Sequence, residues 1–283
     1  MRKLVLALLI AAAPAMAQTP SPDDVLKASP ASDWQALDPA QTLVMNLPKG
    51  QVVIRLAPDF APNSVANIRK LVQAGYFDKA AIVRSQDNFV VQWAQDPEPL
   101  DGGKGWAEFE RLRSNSFVGL KDRDTYAAQA GFDDGFAAAS DGKSEWLAHC
   151  YGVVGVGRDN APASGSGIEL YAVTGQAPRA LDRNMTVAGR IVKGMELLSA
   201  LPRGSGALGF YEKPDEKTPI LTVKLASDMP EAERPKLEWL KTGSRTFAAY
   251  VEARRNRGGP FYVRPAGAID ICAITPPIRP IGP

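Results

Sequence analysis

Residues 61–78 read Ala61-Pro62-Asn63-Ser64-Val65-Ala66-Asn67-Ile68-Arg69-Lys70-Leu71-Val72-Gln73-Ala74-Gly75-Tyr76-Phe77-Asp78, and residues 82–92 read Ile82-Val83-Arg84-Ser85-Gln86-Asp87-Asn88-Phe89-Val90-Val91-Gln92. In the first stretch Pro62 suits the opening position of a helix. Val65, Ile68, Leu71 and Val72 recur at the spacing of one helix face, and Gly75 fits the stop just past its end. The second stretch holds two short strand-like runs, Ala81–Arg84 and Phe89–Trp93, around a Ser-Gln-Asp-Asn turn. An arginine inside an apolar run needs a cleft or solvent to face. Because the turn interrupts strand alternation, Arg84, Phe89 and Gln92 can converge on one face.

Strand signals continue on both sides. Upstream, Leu43–Leu47 and Gln51–Leu56 flank Pro48-Lys49-Gly50, a hairpin by spacing and turn chemistry. Downstream, strand-like runs fall at Val153–Val156, Glu169–Val173, Met185–Val192 and Ile220–Leu225, with a short helix at Gly194–Leu198. Many short strands and few helices predict a mainly β fold, an antiparallel barrel or sandwich with flanking helices, over residues 41–226. Residues 94–146 are charged, Gly-rich and aperiodic, and are read as an enlarged insertion: a long compact loop with pieces of helix. Residues 227–283 form a C-terminal extension, helical over Ala232–Lys241 and Arg245–Arg257 and Pro-rich thereafter.

The chain has 283 residues, 45% hydrophobic and 23% charged, which excludes disordered and collagen-like classes. Its start is a leader rather than fold. Positive Met1-Arg2-Lys3, apolar Leu4–Ala13 and small-x-small Ala15-Met16-Ala17 form a signal peptide over residues 1–17, which predicts export to a periplasm. The apolar run falls short of the roughly 20 residues that span a bilayer, so no stable membrane span is expected. Residues 18–40 read as a flexible lead-in with one helical turn near Val25–Lys27. Lys and Arg total 33 against 31 Asp and Glu, and loss of Arg2 and Lys3 leaves the mature chain neutral. A neutral chain offers no electrostatic footprint for nucleic acid.

Several chemistries are excluded. The glycines of residues 152–157 are followed by a turn and a strand, whereas a dinucleotide loop opens a helix. Ser164-Gly165-Ser166-Gly167 lacks the strand-to-helix elbow of a serine hydrolase. His149 is the sole histidine, and His149-Cys150 is not a metal-ligand spacing, so neither a metal nor any other cofactor is expected.

The stretches quoted first resemble the "APxTVxNFxxLxxxGYYDG" and "FHRVIPGFMIQGG" segments of the cyclophilin-type peptidyl-prolyl cis–trans isomerases. Leu181–Val187 with Gly189-Arg190 and Gly194-Met195 is similar to the family's "LDGxxxVFGRVxxGM". The resemblance runs from about Leu43 to Leu198. It implies a closed antiparallel β-barrel and isomerisation of X-Pro bonds by a monomer, with unfolded or proline-containing polypeptides as clients. Arg84 falls on the family's catalytic arginine and Gln92 on its glutamine. Phe89, Val90, Tyr171, Leu181 and Met185 fall on pocket positions, and Glu169 on an upstream glutamine. The sequence departs from the pattern at Val83, at Trp93-Ala94 and at Gly157-Arg158, where the family has an alanine–asparagine pair. Ala180 stands at the tryptophan of cyclosporin-sensitive members, so weak cyclosporin inhibition is expected. These departures leave a second reading open: a non-catalytic, proline-peptide-binding chaperone module on the same fold.

Cys150 and Cys272 are the two cysteines. In an oxidising compartment they can form one disulfide, which would tie the C-terminal extension to the barrel.

Overall fold

A computed structural model describes residues 20–96, 103–258 and 261–282. The leader read over residues 1–17 lies outside the described residues. The hairpin falls where the turn chemistry puts it: Thr42–Leu47 pairs with Gly50–Leu56, Leu47 opposite Gly50. The helix occupies Pro62–Gln73 and buries Val65, Ile68 and Val72.

Nine antiparallel strands form one curled sheet. Across it the order is Thr218–Pro219, Ala80–Ser85, Val90–Gln95, Leu170–Val173, Val153–Val156, Val187–Lys193, Gly50–Leu56, Thr42–Leu47 and Thr222–Leu225. The closed barrel expected from the resemblance is corrected here, because the two outermost strands do not pair and the curled sheet stays open. Those edge strands are consecutive in the chain. Ile220 N–H donates to the Ala80 carbonyl at 3.0 Å on one side, and Leu221 N–H to the Asn46 carbonyl at 2.9 Å on the other. Inside the curl, Met45, Ile54, Phe77, Ile82, Trp93 and Leu225 form a core capped by Ile68 of the helix.

Residues 94–146 differ from the loop-and-helix expectation. Their described part forms a five-stranded antiparallel sheet in the order Arg111–Leu112, Ser144–Leu147, Phe136–Ser140, Gln129–Asp133 and Val118–Gly119. Its Gln129–Asp133 and Phe136–Ser140 strands turn at Asp134-Gly135, both with positive φ.

The lead-in holds the expected helical turn, but the rest of it is ordered structure instead of a flexible segment. Pro22–Lys27 is a helix whose Ser21 cap accepts from Asp24 N, and buried Trp34 opens a strand, Trp34–Ala36. That strand completes a three-stranded sheet with Leu237–Leu240 and Ile278–Pro280. Leu237–Leu240 lies in the Ala232–Lys241 run read as helix. Pro235 has no amide proton and clashes with a preceding helical turn, and partners on both sides give Leu237–Leu240 a full β ladder. The second expected helix forms at Arg245–Arg255, capped by Ser244, and its Phe247 ring meets Phe132 edge to face at 4.9 Å. Cys150 and Cys272 are disulfide-bonded, with Cα atoms 4.9 Å apart across 122 residues of chain. Cys272 sits in a single turn capped by Asp270. Among the described residues no helix is long and apolar enough to cross a membrane.

Candidate active site

A β-bulge places the arginine. The Ala80–Ser85 and Val90–Gln95 strands pair regularly up to Ile82, then shift register so that Arg84 lies opposite Gln92. An extra residue at a bulge bends the strand and re-aims the next side chain. Gln92 in turn lies opposite Tyr171, and Tyr171 opposite Gly155. Gly155 is required there, because a Cβ would stand 2.2 Å from the Tyr171 ring. Arg84, Gln92 and Tyr171 therefore lie in one row across three strands.

That row opens into a pocket on the face of the curled sheet. All eight residues singled out from the sequence line it: Arg84, Phe89, Val90, Gln92, Glu169, Tyr171, Leu181 and Met185. Gly157 and Arg158 complete the wall. Val90 and Tyr171 are buried, whereas Phe89, Leu181 and Met185 are half-buried and form an apolar floor and rim.

The Arg84 guanidinium is fixed from three directions. Nη1 donates to Gln92 Oε1 at 3.0 Å, Nε donates to the Leu208 carbonyl at 2.7 Å, and Nη2 donates to Gln86 Oε1. The Phe210 and Phe89 ring centres stand 5.1 and 5.6 Å from its carbon. A guanidinium has five N–H groups, so two are left for a substrate. Burial lowers the Arg84 pKa and the Glu169 carboxylate partly offsets this; the group stays a cation at neutral pH.

The Leu208 carbonyl reaches Arg84 from a tight turn. Leu208 has φ +56 and Gly209 φ +78. At Gly209 a Cβ would come within 2.6 Å of the Gln86 backbone, so only glycine lets this turn lie against the strand.

Tyr171 is fixed by buried polar partners. Its hydroxyl lies 2.9 Å from His149 Nε2, and His149 Nδ1 lies 3.0 Å from Asp182 Oδ1. A carboxylate at Nδ1 places the ring proton there, which leaves Nε2 to accept the tyrosine O–H. Asp182 also accepts from the His149 backbone N–H and from Arg179, and Arg179 bonds both oxygens of Asp124 at 2.8 and 3.1 Å. Burial pushes the Asp182 carboxyl up, but the His149 hydrogen bonds and the Arg179 charge outweigh it and hold the pKa below the ordinary value. Burial, then the Asp182 charge, raise the Tyr171 pKa, so its hydroxyl stays protonated.

Three contributors escaped the sequence reading as site residues. Gln86 and the Leu208 carbonyl clamp Arg84; Gln86 had a signal, lying two residues on across the turn, while Leu208 is 124 positions away and had none. Arg158 lines the pocket and bridges its rim, donating from Nε and Nη2 to the Asn184 carbonyl at 3.0 and 2.9 Å. Its departure from the family pair was the signal.

A curled antiparallel sheet carrying an arginine–glutamine pair beside an apolar cleft defines the cyclophilin class of isomerase folds. The family profile described as cyclophilin type peptidyl-prolyl cis-trans isomerase/CLD matches residues 42–225, and the chain belongs to that family. A probable peptidyl-prolyl cis-trans isomerase of Brucella suis is 29% identical over 184 residues, 64% of this chain and 82% of that protein. Its Brucella abortus counterpart is 28% identical over the same shares. The crystal structure of cyclophilin AquaCyp293 from Hirschia baltica superposes with a TM-score of 0.72 at 25% identity, covering 91% of this chain and 96% of that one. This likeness reaches beyond the family-matched residues into the segments that flank them.

Proposed function

We propose that this isomerase turns X-Pro bonds of exported polypeptides and assists their folding, acting in a periplasm after removal of residues 1–17. The observation that carries the catalytic part is the aimed Arg84 guanidinium, with N–H groups to spare at the edge of a proline-sized apolar cleft. An X-Pro amide rotates only when resonance is lost, against a barrier of about 18–20 kcal/mol. In the twisted state the prolyl nitrogen becomes pyramidal and gains a lone pair. A guanidinium N–H donating to that lone pair binds the transition state better than the planar ground state, which is the condition for catalysis. Four decades of acceleration require about 5.5 kcal/mol at 1.36 per decade. A charge-assisted hydrogen bond in a water-poor cleft, together with ring packing, is of that order.

In this mechanism Arg84 is the electrostatic catalyst, and Gln92 and Gln86 orient it. Phe89, Val90, Tyr171, Leu181 and Met185 grip the proline ring, while Glu169 tunes the field at Arg84. A second reading, a peptide-binding module without turnover, is favoured by Arg158, whose long side chain crosses the rim where the family has asparagine. A protease-coupled assay on an X-Pro peptide separates the two: wild type should far outpace Arg84→Ala, and equal rates would overturn the enzyme mechanism. N-terminal sequencing of periplasmic protein should begin at Gln18; an intact Met1 in the cytoplasmic fraction would overturn the export part.

A further inference from the structure

Arg190 is the best-buried arginine of the sheet that lacks an acid. It sits in the Val187–Lys193 strand between Val153 and Arg55, with 7% of its surface exposed. Its neighbour Arg55 holds Asp134 at 2.6 Å, so that carboxylate is already committed. Among the described residues Arg190 makes no ion pair. Its one hydrogen bond runs from Nη2 to the Pro276 carbonyl at 2.9 Å, and its buried Nε has no acceptor. Burial, then the Arg55 charge, lower its pKa to about 9, so it is a cation at neutral pH. A buried guanidinium ordinarily has an anion to neutralise it and acceptors for its N–H groups.

Arg190 lines a separate, narrow crevice between the sheet and the C-terminal extension. Most of the other walls are apolar, among them Phe136, Val153, Ile274 and the Cys150–Cys272 disulfide, and Tyr151 and Thr275 add two hydroxyl-bearing side chains. One unpaired planar cation matches one planar monoanion, since a guanidinium edge meets the two oxygens of a carboxylate in parallel. Hydrocarbon walls match a short alkyl chain behind that carboxylate. A phosphate dianion, with more charge and no apolar part, fits this lining poorly.

We propose that the crevice between the sheet and the disulfide-tied extension binds a short-chain carboxylate through Arg190. The inference stands apart from X-Pro turnover, and its test reads binding instead of rate. Isothermal titration of the full oxidised protein with butyrate should give saturable one-to-one binding with a dissociation constant of about 1 mM or tighter. Arg190→Gln should weaken it at least about tenfold. Ala137→Leu, which narrows the crevice while leaving the arginine in place, should weaken it as well and keeps the test decisive if Arg190→Gln fails to fold. Inorganic phosphate should bind at least about tenfold more weakly than butyrate. Absence of saturable butyrate binding, equal affinity in wild type and both variants, or phosphate binding as tightly as butyrate would overturn the proposal.

Discussion

The two walls of the active-site pocket are built on opposite principles. On one side Arg84 is half-exposed and held by neutral acceptors, the Gln92 and Gln86 amides and the Leu208 carbonyl. On the other, Tyr171 rests on the buried His149 imidazole and, behind it, the charged groups Asp182, Arg179 and Asp124. Neutral acceptors aim a cation without quenching its charge, leaving it available to a developing lone pair. A buried ionic chain gives little net stability, yet removing one member leaves the others uncompensated, so it enforces a single geometry. The first wall supplies chemistry and the second supplies shape.

Substitutions that separate rate from stability test this division. Arg84→Lys keeps the charge and loses the fork that meets three acceptors at once. It should cost about 10²-fold in kcat/KM, or about 2.7 kcal/mol of barrier, with Tm nearly unchanged. A variant that retained full activity in the protease-coupled assay would show that charge alone suffices and would break the contrast. On the other wall, Asp182→Asn should cost about 2 kcal/mol of stability in urea unfolding; Arg179 keeps Asp124, so the loss falls below that of a fully broken buried pair. Because folding depresses the Asp182 pKa, its contribution is present above the unfolded value near pH 4 and lost as pH falls through the lower folded value. The stability gap between wild type and Asp182→Asn should therefore narrow as pH falls below about 4. A gap that widened in acid would contradict the assignment.

Smaller effects sharpen the same line. Tyr171→Phe leaves His149 Nε2 buried without its donor and should cost about 1–2 kcal/mol, while kcat/KM changes by less than about threefold. Phe210→Ala uncovers one face of the guanidinium and should lower kcat by about threefold at unchanged KM. A KM effect instead would move Phe210 from positioning the arginine to holding the client.

Much of the first wall was legible in the sequence. Arg84, Phe89 and Gln92 lie within nine residues, and their convergence follows from a strand, a turn and a strand. The second wall was not, because His149, Tyr171 and Asp182 meet only once three distant segments are folded, and nothing near the sole histidine in the chain points to its partners. Some misses left a trace in the sequence. Asp134-Gly135 is a strong hairpin signal, and it sits in the insertion read as loop and helix. The strand after it, Phe136-Ala137-Ala138-Ala139-Ser140, has almost no intrinsic β preference and is held by burial against its neighbours. Sheet closure was beyond local pattern altogether, since no periodicity says whether the outermost strands meet.

That open edge has a practical side. The two margins of the curled sheet are fastened by a short piece of covalent chain around Ile220 and Leu221, with Leu221 showing 52% of its surface to solvent. A single peptide-bond cut there would leave the margins held by core packing and lateral hydrogen bonds alone. The sheet would be free to unroll like a sleeve with one button undone. Limited proteolysis is then a direct gauge of how much of the curl is held by its packing and how much by that one fastening.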